Sequence, residues 1–353
     1  MLQINQLTGF GATSDAGGGP TSQTFLALAH SGSPYVSVYT FGASGFGSRY
    51  SDAATPPANI GRGVAFSPAG TEVAVAHSIT PFVSAWPWAP GFGTKFSDPA
   101  TLPASTGNAV AFADNGAAIA VAHATTPFVS AYGWSSSGFG SKFSNPATLP
   151  ASTGNGVAFA PGSGAIAVAH NTTPFVSAYP WSGSGFGTKF SNPATLPGTQ
   201  GWAVAFSPAA DAIAVAHAAS PYVNAYPWSG SGFGTKFSNP ATLPPALCRA
   251  VAFSPDGATL AVTSDSSPYV LAYPWSGSGF GTKFSNPATL PAGAGYGVAF
   301  SDASDAIAVA HATTPFVTAY PWTSGTGFGT KHANPSSLPA GQGIGVAFKT
   351  IAV

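Results

Sequence analysis

Seven residues occupy one place in a recurring element yet share no chemistry: Arg62, Asn108, Asn155, Trp202, Arg249, Tyr296 and Ile344. Each stands two residues before the Val of a Val-Ala-Phe, and its surroundings hardly vary from copy to copy. Guanidinium, amide and aromatic groups gathered at one rim would bind a partner, because Arg, Trp and Tyr are the residues enriched at binding hot spots. Free drift at a solvent-exposed turn is the plainer reading of the same variation. A second series is uniform: Trp88, Trp134, Trp181, Trp228, Trp275 and Trp322 each precede a Gly-containing turn. An open indole would stack on a sugar ring, whereas a covered one would plug neighbouring units. A third series, His30, His77, His123, His170, His217 and His311, ends an alternating apolar run, with Ser264 in the remaining place. Six ligands on six separate units cannot all approach within the ~2.0–2.1 Å that a metal demands, so these histidines are expected to make structural hydrogen bonds.

Hydrolytic chemistry has little to draw on. Glu72 is the single glutamate, and the aspartates are scattered, so no carboxylate pair is marked by spacing. No Gly-x-Ser-x-Gly elbow lies between a strand and a helix, and no Gly-rich stretch is followed by the helix that a phosphate loop needs. The reading at this level is of no catalytic residue, no cofactor and no metal. Arg49, Lys95, Lys142, Lys189, Lys236, Lys283 and Lys331 form a basic series on a predicted outer strand, where charge protects an edge from pairing with other sheets.

The elements that must carry these residues are legible from self-comparison. The Phe of Val-Ala-Phe recurs at 66, 112, 159, 206, 253, 300 and 348, and the Phe of Gly-Phe-Gly at 46, 92, 139, 186, 233, 280 and 328. Each unit reads as four strands. Val-Ala-Phe with its preceding residues is strand a, and Ala-Ile-Ala-Val-Ala-His (165–170), alternating with period two, is strand b. Phe-Val-Ser-Ala-Tyr-Pro-Trp (175–181) is strand c, and Gly-Thr-Lys-Phe-Ser (187–191) is strand d before a proline-rich loop. Four antiparallel strands in a period of ~40–50 residues predict an all-β, seven-bladed β-propeller. The chain enters the first unit at strand b and finishes with strand a, so the C-terminal strand is expected to close the first blade. Residues 1–21 read as a Gly-rich N-terminal arm, and 22–353 as the propeller.

Composition narrows the partners. Charged residues make up 6% of the chain, ten basic against ten acidic, which argues against nucleic-acid binding. The 44 glycines and 33 prolines argue against helices, while 44% hydrophobic residues suffice for a core. No run approaches the ~18–20 apolar residues of a membrane span, and the start lacks the pattern of a secretory signal. The single cysteine, Cys248, excludes an intrachain disulfide.

Val-Ala-Phe-Ser-Pro-Asp-Gly-Ala-Thr-Leu-Ala-Val (251–262) resembles the a–b hairpin of WD-repeat propellers, with Tyr-Pro (226–227) where that family has Trp-Asp and no Gly-His before strand a. The near-identical Phe-Gly-Thr-Lys-Phe-Ser-Asn-Pro units look more like propellers of tailed bacteriophages and environmental viral sequences. That second resemblance implies a non-enzymatic, macromolecule-binding virion component (decoration, tail-fibre or host-adsorption protein) made in the host cytoplasm. Its partners would be other virion proteins, met through the N-terminal arm or a propeller face, and a host-surface glycan or receptor. A multivalent glycan-binding lectin and a polysaccharide-degrading enzyme are the alternatives.

Overall fold

The computed structural model describes residues 22–353, so the expected arm at 1–21 lies outside the described residues. Seven antiparallel sheets form a seven-bladed propeller. Blade 4 is representative, with strand a Gly154–Phe159, b Ala165–His170, c Val176–Ser182 and d Gly185–Phe186. Blade 1 joins Gly343–Ala352, as its strand a, to Ser22–His30, Val36–Gly42 and Gly45–Arg49. That seam runs from Ser22 opposite Ala352 to His30 opposite Gly343, and a Thr24–Thr350 hydroxyl contact of 2.8 Å fastens it.

Period-two alternation gives each blade two unlike faces. Ala165, Ala167 and Ala169 form the small face of blade 4, and pack on Ile213, Val215, Tyr226 and Trp228 of blade 5. The opposite face, Ile166, Val168, Tyr179 and Trp181, packs on Ala118, Ala120 and Ala122 of blade 3. Small face meets large face where the ring closes between blades 7 and 1 too, with Leu26, Leu28 and Tyr39 covering Ala306, Ala308 and Ala310. This head-to-tail fit buries both faces of every strand b and makes the blades a ring.

The outer strand departs from expectation. Residues 187–191 are not a strand; strand d is the earlier pair Gly185–Phe186, and three other blades match it. Pro180 explains the difference. Its carbonyl accepts from the Gly187 amide at 2.8 Å, so its nitrogen faces the same neighbour but has no hydrogen to give. Where Thr40 or Gly133 replaces that proline, strand d extends to five residues, Gly45–Arg49 and Gly138–Lys142. In blade 2, with Pro87 and a shorter turn, it shrinks to one bridge between Trp88 and Phe92.

Candidate axial site

The innermost strands approach the axis so closely that each carries Gly or Ala after its variable residue. A Cβ on Gly156 would lie 2.9 Å from the Trp202 carbonyl oxygen of the next blade. One position earlier, the side chains point into the axial mouth on the face of the b–c turns and the d–a loops. There Arg62, Asn108, Asn155, Trp202, Arg249, Tyr296 and Ile344 line one pocket of about 340 Å³, together with Ser31, Ile60 and Gln342.

Arg249 is the most constrained of them. Its guanidinium lies 4.9 Å from the Trp202 ring centre and 4.8 Å from that of Tyr296, between the two aromatics. Its Nε and one terminal nitrogen donate to the two oxygens of Asp265, each at 2.8 Å. A bidentate carboxylate and two ring faces hold the fork in place. Blade 6 is also where the regular start of strand a fails. Six blades open it with a glycine whose added Cβ would sit 2.2–2.4 Å from a carbonyl of the preceding blade, as Gly201 does against Phe175. Cys248 holds that place in blade 6, and the strand contracts to Val251–Phe253.

Asn155 donates to the Gly201 carbonyl at 2.7 Å and to Asn171, while Asn108 donates to the Gly154 carbonyl at 2.9 Å. These amides therefore clasp neighbouring blades. Arg62 differs: its exposed guanidinium has no hydrogen-bond or ion-pair partner among the described residues. Burial of its stem draws its pKa below the ordinary value, and arginine stays protonated regardless. Asn171 and Asp265, behind the pocket wall, escaped the sequence reading. Both follow the strand-b terminus, 16 residues after the variable position, where the copies carry Ser31, Ser78, Ala124, Asn171, Ala218, Asp265 and Ala312. That second varying column was the available signal.

The tryptophan series lies elsewhere, at the opposite edge. Trp88, Trp134, Trp181, Trp228, Trp275 and Trp322 are only 2–8% exposed. Trp181 is ringed edge-on by Phe159 and Phe186 of its own blade and Phe143 of the previous one, at 5.0–5.1 Å. No indole face is left for a sugar ring, so the expected glycan-stacking role is corrected to that of a plug between blades. The histidines are fully buried one to a blade, and His170 Nε2 meets the Ser177 hydroxyl at 3.0 Å. Burial lowers all six to a pKa of about 4. The basic series is spent locally: Lys283 Nζ donates to the Asn286 side chain at 2.6 Å, and Arg49 and Lys95 pair with Asp52 and Asp98. Four of the seven Val-Ala-Phe phenylalanines, Phe66, Phe112, Phe159 and Phe348, border a separate cavity of about 370 Å³ at the far end of the axis.

No protein-family model matches the chain, and no curated protein matches it. Solved structures do. A periplasmic gluconolactonase from Pseudomonas aeruginosa superposes with a TM-score of 0.72 at 15% identity, covering 94% of this chain and 100% of that one. A candidate 6-phosphogluconolactonase from Bacteroides fragilis gives 0.74 at 14% identity, covering 93% and 98%. A Lactobacillus plantarum protein gives 0.71 at 14%, covering 93% and 99%. The fold is shared; the sequence is not. At such identity the likeness concerns the propeller alone. The expectation of a non-enzymatic phage-particle scaffold is corrected to this extent: the two structures above that are named for an activity are lactonases, and no family model, viral or WD-repeat, matches the chain.

Proposed function

We propose that the axial pocket is a small-molecule active site of lactonase type, taking a hydroxylated lactone and opening it with water. The observation that carries this reading is the convergence of seven unlike side chains on one pocket at the axis of an otherwise repetitive ring, with one guanidinium left uncompensated. A cavity of about 340 Å³ falls within the ~300–1,000 Å³ of small-ligand sites. The names of the solved propellers of the same shape supply the reaction class.

The chemistry asks little of the protein. Water adds to the ester carbonyl, the ring C–O bond breaks, the ring oxygen takes a proton, and the new acid loses one to solvent. Arg62 can hold the oxyanion that develops on the carbonyl oxygen, the kind of preorganised donor that lowers such barriers. None of the pocket-lining residues is Asp, Glu or His, and both Asp265 oxygens accept from Arg249. Acceleration therefore comes from carbonyl polarisation rather than from a free general base, and its size is modest beside the ~10²–10⁴ that a base adds.

The test is proton release in a pH-stat with glucono-1,5-lactone and its 6-phosphate, against the buffer rate. The expected outcome is acceleration that Arg62→Ala loses and Lys189→Ala, at the outer edge, retains. Equal rates with and without protein for both lactones would dismiss the assignment.

A further inference from the structure

The pocket's polar groups divide into those already committed to the protein and those that are not. Arg249 gives two hydrogens to Asp265, and Asn108 and Asn155 give theirs to backbone carbonyls. The Arg62 guanidinium, the Ser31 and Tyr296 hydroxyls and the Gln342 amide of the lining remain without a hydrogen-bond partner among the described residues. Arg62 can only donate and carries a full charge, while the two hydroxyls and the Gln342 amide can donate as well as accept. No carboxylate lines the pocket to compensate that charge or to repel an incoming anion.

We infer that the pocket is selective for the ring-opened hydroxy acid over the lactone, so that the carboxylate product of hydrolysis holds the site and inhibits it. This rests on the lactonase-type reading above, and concerns its regulation. A lactone offers an uncharged carbonyl to these donors. Hydrolysis replaces it with a carboxylate whose two oxygens share a full negative charge, which adds a charge pair and a bidentate geometry at Arg62 and makes the bonds from the neutral donors charge-assisted as well. The groups that polarise the ester thus bind the acid better. Release of product, or its removal by a reaction that consumes sugar acids, then limits turnover.

The experiment pairs calorimetric titration of sodium gluconate with initial rates on glucono-1,5-lactone in the presence of gluconate. The expected result is one gluconate per chain, weakened by added salt as an exposed charge pair must be, and competitive inhibition with Ki below KM. Uncharged sorbitol, of similar skeleton, does not bind. Arg62→Gln weakens gluconate by about tenfold or more, whereas Arg62→Lys keeps most of the affinity. The side chain is exposed and without a partner, so both variants retain the wild-type circular dichroism. Gluconate that fails to bind at millimolar concentration, binds no better than sorbitol, binds Arg62→Gln as well as wild type, or shows Ki above KM overturns the inference. Turnover without product binding rejects the inference alone; gluconate binding without turnover rejects the lactonase-type reading alone.

Discussion

Two tryptophans show how differently one residue type can serve one chain. Trp202 stands at the axial mouth against a guanidinium, whereas Trp181, 21 residues earlier, is encased by three phenylalanines. Trp181→Ala empties that cage, and the cost of deleting a buried indole is about 3–5 kcal/mol. A clear fall in the thermal midpoint is expected; a midpoint unchanged from wild type would show that the cage is not what joins blades 3 and 4. The same residue type was legible as a repeated feature in the sequence, but its burial was not. Spacing locates a tryptophan at a strand end without saying how many rings close over it, and here two of the three come from residues distant in the chain. The axial series was easier to find, since variation within an invariant frame needs no coordinates, though what Arg249 touches does.

Elements were read more surely than their edges. The recurrence of Val-Ala-Phe and the alternation of Ala-Ile-Ala-Val-Ala placed strands a and b, because apolar periodicity is what two buried faces require. Strand d is shorter than the residues 187–191 suggest because the proline inside strand c, and not only the prolines of the following loop, withdraws one donor from the outer ladder. That account makes a prediction. In hydrogen exchange, amides of 138–142 should be better protected than those of 185–189, and Gly133→Pro should bring the first segment down to the second. Unaltered protection in the variant would mean that something other than the missing N–H ends the strand.

At the scale of the whole wheel, six buried histidines act in concert. Each titrates at about 4 when folded, by burial, against an ordinary 6.5 when unfolded. Between those values the unfolded chain binds more protons, so stability present above pH 6.5 is lost as the pH falls towards 4, by up to about 3 kcal/mol per histidine. The thermal midpoint should be flat above pH 7 and fall steeply from 6.5 to 4. A midpoint holding steady down to pH 4.5 would contradict the neutral state assigned to these rings. The seam of blade 1 adds an entropic consequence. Its paired hydroxyls are separated by 326 residues, while strands a and b of the other blades are joined by tight hairpins. Loop entropy rises only logarithmically, so the longer span costs about 3 kcal/mol more. That cost falls on one joint alone, so the closing of the ring, unlike the local hairpins, depends on the length of chain between its two strands.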